Sequence, residues 1–329
     1  MAIEFRNRDF ITTQDYSKEE LDLLLEVSYD MKKKFALGEP TRYLPDKTLF
    51  MIFYDESTRT RNSMEAGMTQ LGGHAHFLAP KNMQLAHGEA AKDTAIILGR
   101  FGHGIAIRHC KHGEGNKYLQ AIAEHSKTPL MNLQDDIYHP FQVMADTMTI
   151  QERFGKNTKG LKVVISWGYA ETHLKPLSVP QSQILMFPRY GMDVTLAYPE
   201  GFDLMPEIVT QAKENAKLTN SRFEISHNMS DSFKDADVII AKNWGGFFVG
   251  NTEEEIRAEQ AKHKDWICDA EKMNLANKNA IYMHALPADR NKEVTDEVID
   301  GKWSVVYDEA ENRLHTAKAV MALTMGGRP

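Results

Sequence analysis

The residues of this 329-residue chain that could do chemistry are densest in one stretch, Asp55-Glu56-Ser57-Thr58-Arg59-Thr60-Arg61-Asn62-Ser63. It follows the apolar run Thr48–Tyr54, which has the length and composition of a buried strand. Behind it Met64, Met68 and Leu71 recur at helical spacing, and Gly72-Gly73 supplies a stop. The stretch therefore occupies a strand-to-helix turn, where unpaired N–H groups and the positive helix end favour an anion. Ser57, Thr58 and Thr60 add hydroxyls, and a planar guanidinium such as Arg59 can hold two phosphate oxygens at once. A helix cap with solvated arginines is the plainer alternative. The density of hydroxyls and guanidiniums favours a phosphate cradle.

Three more polar groups follow apolar runs. Arg108 ends the run Gly104–Arg108; Pro129–Leu133 delivers Gln134-Asp135-Asp136-Ile137-Tyr138-His139-Pro140-Phe141-Gln142; Ala280–Met283 delivers His284-Ala285-Leu286-Pro287-Ala288. Ligands of open parallel sheets bind beyond the carboxyl ends of the strands. If all four groups converge, the cleft holds arginines, an imidazole, an amide and hydroxyls. That inventory suits a phosphate attached to a polarised carbonyl, with preorganised donors for the oxyanion of an acyl transfer. Other chemistries lack their marks. The turn Trp167–Thr172 carries no GxGxxG, and no Walker A or GxSxG sequence occurs. His74-x-His76 and His109-Cys110-Lys111-His112 have metal-ligand residue types but no second pair at the spacing of a zinc module, so no metal is expected.

The elements that must position these residues alternate. Asp15–Glu20 reads as a helix-start signal ahead of the stripe Leu24, Val27, Met31 and Phe35. Strands are predicted at Thr48–Tyr54, His74–Leu78, Gly104–Arg108 and Pro129–Leu133, then at Leu161–Ser166, Asp193–Ala197, Ala236–Ile240 and Ala280–Met283. Helical patterns lie between them, with a last one over Glu311–Met325. The fold class is therefore α/β with parallel sheets. The division expected is residues 1–150 and 151–310, with the helix near 311–329 returning to the first domain. A hydrophobic content of 42% and a charged content of 26% are ordinary for a soluble globular protein. A net charge of −7 argues against nucleic-acid binding through phosphate neutralisation. Two cysteines give no disulfide framework, no apolar run reaches membrane-spanning length, and the polar start Met1–Phe10 is unlike a signal peptide. A cytoplasmic protein is expected.

Ser57-Thr58-Arg59-Thr60-Arg61, His139-Pro140-Phe141-Gln142, His284-Ala285-Leu286-Pro287-Ala288 and Asp308-Glu309-Ala310-Glu311-Asn312-Arg313-Leu314-His315 resemble, in order, signature segments of the aspartate/ornithine carbamoyltransferase family. The resemblance implies two Rossmann-like domains, one for carbamoyl phosphate and one for an amino-acid acceptor, with no cofactor, in a homotrimer with shared active sites. It implies that Ser57, Thr58, Arg59 and Thr60 hold the phosphate, that Arg108, His139 and Gln142 hold the carbamoyl end, and that the Ala285 and Leu286 carbonyls accept from its amide. Arg313 is expected to approach the donor from the other domain's side, and Gln84 to reach a neighbouring subunit's site from its loop. Arg59, Thr60, Arg108 and His139 would be the catalytic set.

The acceptor half departs from the ornithine pattern. Ala285 stands where ornithine enzymes usually have cysteine, and the Ser-Met-Gly loop and Asp-x-x-Asn turn are missing. Lys242-Asn243-Trp244-Gly245 and Lys175-Pro176-Leu177-Ser178-Val179-Pro180 instead resemble the N-acetylornithine branch, in which a later segment threads the proline-rich loop and makes a shallow trefoil knot. Thr58, where that branch has methionine, and the Gln84–Glu89 loop are not of that type. Lys242 and Trp244 are expected at the acceptor with Leu286, and Asp135 and Asp136 either orient the acceptor's cationic end or cap a helix. The reading is carbamoyl transfer to an ornithine-like or N-acyl-ornithine-like amino acid. The alternatives are ornithine carbamoyltransferase proper, a related transcarbamylase of amino-acid or purine degradation, and a non-enzymatic sensor of a phosphorylated metabolite.

Overall fold

The computed structural model describes residues 3–172, 174–327 and 329, and the chain divides into two compact units. Unit 1 comprises Met1–Ala145 with Glu311–Pro329, and unit 2 comprises Asp146–Ala310.

In unit 1, α1 (Lys18–Ala36) starts at a capping box: Ser17 Oγ accepts from the Glu20 N–H at 3.2 Å, and the Glu20 carboxylate accepts from the Ser17 N–H at 2.8 Å. Then follow β1 (Thr48–Phe53), α2 (Thr58–Gln70), β2 (His74–Leu78), α3 (Ala91–Phe101), β3 (Gly104–His109), α4 (Gly115–His125) and β4 (Leu130–Asp135). α5 (Pro140–Phe154) carries the chain from unit 1 into unit 2. The four strands are all parallel, in the order β2-β1-β3-β4. Ile52, Ile105, Ile107 and Leu130 from the strands pack against Ala95, Leu119 and Ile122 from the helices. This buried face explains why β1, β3 and β4 read as unbroken apolar runs.

Unit 2 contains β5 (Lys162–Ser166), α6 (Ser178–Met186), β6 (Asp193–Ala197), α7 (Pro206–Thr219), β7 (Phe223–Ser226), α8 (Met229–Phe233) and β8 (Val238–Ala241). It continues with α9 (Glu253–Gln260), α10 (Ala270–Met273), β9 (Ile281–Met283) and α11 (Asp296–Ile299), and α12 (Val306–Thr324) leads back into unit 1. Its five parallel strands run β7-β6-β5-β8-β9.

Three expectations need correction. β7 escaped notice because it is a short edge strand with only half-buried side chains at its ends. α12 begins at Val306, five residues before the predicted start. Lys175–Pro180 is not a continuous stiff loop, because α6 begins at Ser178 and Pro180 occupies its first turn, where a missing N–H costs no helical bond.

Candidate active site

Both sheets reverse their winding once, between β1 and β3 in unit 1 and between β5 and β8 in unit 2. Such switch points open a crevice at the carboxyl ends of the flanking strands. In unit 1 those ends carry Ser57–Thr60 and Arg108; in unit 2 they carry Trp167–Thr172 and Lys242–Gly245.

Ser57 is the N-cap of α2, its Oγ accepting from the Thr60 N–H at 3.3 Å. The turn is tied to the neighbouring strand end by Asp55, whose Oδ2 accepts from the Cys110 N–H at 2.7 Å, and by the Tyr54 N–H, which donates to the Arg108 carbonyl at 2.9 Å. Thr60 is buried, and the Arg313 guanidinium donates to its Oγ1. Arg313 thus belongs to the same unit as the cradle and not, as expected, to the other domain's side. Arg61 is drawn off to β2: its Nε donates to Glu65 at 2.8 Å and its guanidinium carbon lies 3.7 Å from the centre of the Phe77 ring.

Arg108 sits where the β3–β4 register shifts, between Ile107 and Arg108. Such an irregularity re-aims a side chain at a sheet's end. Its Nη1 donates to Gln134 Oε1, while its Nε is buried without a hydrogen-bond partner among the described residues. Cys110, two residues on, is partly buried, and desolvation pushes its thiol up to about 12. His139 immediately precedes Pro140, the first residue of α5, and its carbonyl accepts from the Gln142 and Val143 N–H groups at 3.1 and 3.3 Å. Both His139 and Gln142 are buried, so unit 1 brings Ser57, Thr58, Arg59, Thr60, Arg108, His139, Gln142 and Arg313 into one unit.

Of the two roles expected for Asp135 and Asp136, the hydrogen bonds match the capping one. Asp135 Oδ1 accepts from the N–H groups of Ile137, at 2.8 Å, and Tyr138, and its Oδ2 accepts from Asn116 Nδ2 at 2.7 Å and Asn132 Nδ2 at 2.9 Å. Asp136 accepts from the Gly113 and Asn116 N–H groups, each at 2.7 Å, at the start of α4. Buried and engaged through every oxygen, the pair shapes the loop that leads to His139. Burial pushes the Asp135 carboxyl up to about 7, against the pull of its hydrogen-bond donors. Gln84 lies in a short 3-10 turn, Gln84–His87, exposed, with its Oε1 3.2 Å from His87 Nδ1.

In unit 2, Leu286 takes a φ of +51°, a left-handed conformation uncommon for leucine, and its N–H donates to His284 Nδ1 at 2.8 Å. The following Leu286–Pro287 bond is cis. Trp244, expected at the acceptor, is 1% exposed, and its indole N–H is already given to the Phe202 carbonyl at 2.9 Å. It packs within the unit, as Trp167 does, whose Nε1 donates to the Trp244 carbonyl at 3.0 Å. Lys242 Nζ lies 3.3 Å from the Asn243 carbonyl. The residue that sequence reasoning missed is Glu293. Its carboxylate is fully buried and accepts from the Asn243 and Asp289 N–H groups, each at 2.7 Å, with His284 Nε2 at 3.0 Å. Lone among charged neighbours in Arg290-Asn291-Lys292-Glu293, it carries no local signal, and one of its partners lies 50 residues away.

Residues 8–152 match the family model described as aspartate/ornithine carbamoyltransferase, carbamoyl-P binding domain, and residues 175–324 match the corresponding Asp/Orn binding domain. The chain is 39% identical over 326 residues to an ornithine carbamoyltransferase of Halalkalibacterium halodurans, covering 99% of this chain and 98% of that protein. A solved ornithine carbamoyltransferase from Pyrococcus furiosus superposes with a TM-score of 0.90 at 37% identity, covering 100% of both chains. An acetylornithine transcarbamylase complexed with acetylcitrulline superposes at 0.89 and 33% identity, covering 96% of this chain and 99% of that one. With both family domains matched in order along nearly its whole length, the chain belongs to the aspartate/ornithine carbamoyltransferase family.

Proposed function

We propose that the protein transfers the carbamoyl group of carbamoyl phosphate to an amine of an ornithine-like or N-acyl-ornithine-like amino acid. The observation that carries this reading is the donor half in unit 1, where a capped helix start, Arg108 at a register shift and the Arg313–Thr60 contact surround the β1/β3 switch point. Ser57, Thr58, Arg59 and the α2 N–H groups take the phosphate; Arg108, His139 and Thr60 take the carbonyl oxygen, with Gln142 at the carbamoyl end. The neutral amine attacks the carbonyl carbon, and these donors stabilise the oxyanion. The carbon–oxygen bond to phosphate then breaks as the carbon–nitrogen bond completes. The departing phosphate leaves with the bonding electron pair and takes the amine proton, giving a ureido product and hydrogen phosphate.

In unit 2 the acceptor meets Lys242, which anchors its carboxylate, and Leu286. The N-acyl or otherwise altered acceptor is supported by the Lys242–Gly245 segment and by the backbone bond from the Gly245 N–H to the Lys175 carbonyl, at 2.8 Å. The shallow knot of the N-acetylornithine branch, a later segment threading the Lys175–Pro180 loop, belongs to the same reading. A second reading, free ornithine as the acceptor, is favoured by the ornithine carbamoyltransferases among the relatives at 36–39% identity. Gln84, exposed on its turn, is assigned to a neighbouring protomer's site in a homotrimer.

The experiment is a kinetic panel with ornithine, N-acetylornithine, putrescine, aspartate and small diamino acids, following ureido product. Free ornithine is expected to be a poor substrate. Ornithine as clearly the best acceptor would overturn the specificity.

A further inference from the structure

We propose that Glu293 is the positioning residue of the acceptor half-site: its one buried carboxylate sets the separation of the Lys242–Gly245 and His284–Asp289 segments and fixes which ring nitrogen of His284 carries the proton. The inference rests on the reading that unit 2 takes the acceptor.

The contacts form a closed circuit within unit 2. Glu293 Oε2 accepts from the Asn243 N–H, and Oε1 accepts from the Asp289 N–H, each at 2.7 Å. Lys175 closes the other side: its Nζ lies 2.7 Å from Asp289 Oδ2 and 3.8 Å from Glu293 Oε1, and its carbonyl accepts from the Gly245 N–H at 2.8 Å. Three segments distant in sequence are thereby fixed to one another, most firmly at the fully buried Glu293 carboxylate, where charge-assisted bonds are strongest. Gly168 adds a steric reason for the fit, since a Cβ there would meet Glu293 Cβ at 2.8 Å. The Asn243 side chain donates to the Gly168 carbonyl at 2.7 Å, so the turn after β5 joins the same frame.

The histidine follows by elimination. His284 Nδ1 receives the Leu286 N–H at 2.8 Å and so carries no proton. The ring's proton is then on Nε2, which donates to Glu293 Oε1 at 3.0 Å. Burial lowers the His284 pKa, against the pull of Glu293, and keeps the ring neutral. Burial pushes the Glu293 carboxyl up, but the hydrogen bond from His284 and the positive charges of Lys242 and Lys175 hold the group below the usual carboxylate range. A neutral imidazole beside a carboxylate is therefore the resting state, and this pairing helps to hold Leu286 in its left-handed conformation. An acceptor meets a half-site already shaped, which spares it the cost of ordering these segments.

Glu293→Gln tests the claim because it keeps the shape and removes one acceptor. Three donors converge on the two oxygens, so the new amide NH2 must face one of them. Turning the remaining oxygen to His284 and Asp289 sets NH2 against the Asn243 N–H, next to Lys242. The KM for the faster of L-ornithine and N-acetyl-L-ornithine should rise 10-fold or more, while the Kd for carbamoyl phosphate stays within 2-fold. Glu293→Asp, which keeps the charge, should recover part of the loss. An unchanged acceptor KM, or equal losses in donor and acceptor binding, would overturn the role. Nitrogen NMR of 15N-histidine wild-type protein should show His284 neutral with its proton on Nε2. An imidazolium or an Nδ1–H ring would overturn it as well. The NMR measurement needs no acceptor, so it can fail while carbamoyl transfer stands, and the reverse.

Discussion

Lys318→Met is the substitution whose consequence can be worked furthest from the structure. Lys318 lies on α12 five residues after Arg313, is 1% exposed, and gives its ammonium to Gln70 Oε1 on α2 at 2.9 Å. It sits where α2 meets the helix bearing Arg313; a Cβ on Gly67 would come within 3.3 Å of Lys318 Cγ. Burial lowers its pKa from 10.5 to about 8. That difference corresponds to roughly 3 kcal/mol held against the folded state while the amine is charged in both states. The sign follows from proton counting. Between pH 8 and 10.5 the unfolded chain holds the proton that the folded chain has lost, so stability rises with pH across that window and this group's share is flat below it. Methionine has a similar volume and no charge, and the half-buried Gln70 can turn to water, so the net gain should be about 1–2 kcal/mol at pH 7. In a unit of this size that raises Tm by a few degrees, about 2–4 °C per kcal/mol. Melting curves of both proteins at pH 7, 8, 9 and 10 would show the variant's advantage shrinking as pH rises. A variant less stable at pH 7, or an advantage that does not change with pH, would refute the reasoning.

Arg59→Ala should weaken carbamoyl phosphate binding by about 2–4 kcal/mol, the loss of a charge-assisted bidentate contact, and calorimetry showing unchanged affinity would remove Arg59 from the cradle. His139→Asn should lower kcat by about 10²–10³ while sparing donor affinity, because the imidazole acts on developing charge; an unaltered kcat would exclude that role. Lys242→Met should raise the acceptor KM and leave donor binding nearly intact, and equal effects on both would contradict its assignment. Mixing Gln84→Ala with Arg108→Ala protomers, with subunit exchange verified, should regenerate native sites, and activity no higher than either parent would argue against a shared site.

The β1–turn–α2 element was largely legible because its determinants are local. The Thr48–Tyr54 run, the hydroxyls of Ser57–Thr60 and the glycine stop are contiguous, so strand, turn and helix could be read together. Arg108 and His139 were legible as polar residues ending apolar runs, the signature of a strand buried on both faces. For Asp135 and Asp136 the sequence leaves a ligand contact and a helix cap both open. An acidic pair beside a histidine suggests a ligand contact, and only the fold reveals that Asn116 and the backbone of Gly113, Ile137 and Tyr138 take up the two carboxylates. Glu293 and Lys175 were hidden because their partners are brought together by β5, β8 and β9, and nothing in a polar loop marks which carboxylate will be buried. The prolines of Lys175–Pro180 suggest a loop, yet a proline in a first helical turn is compatible with the helix that follows.

The most direct test of the central claim follows the carbon itself. The protein would be incubated with 13C-labelled carbamoyl phosphate and the best amine of the panel, with 13C and 31P NMR recorded together. Carbamoyl transfer requires a new ureido carbon to appear in step with inorganic phosphate, one for one, and Arg108→Ala to abolish both. Phosphate released without a carbon–nitrogen product, or donor binding with neither, would contradict it and leave a protein that binds a phosphorylated metabolite without transferring its acyl group.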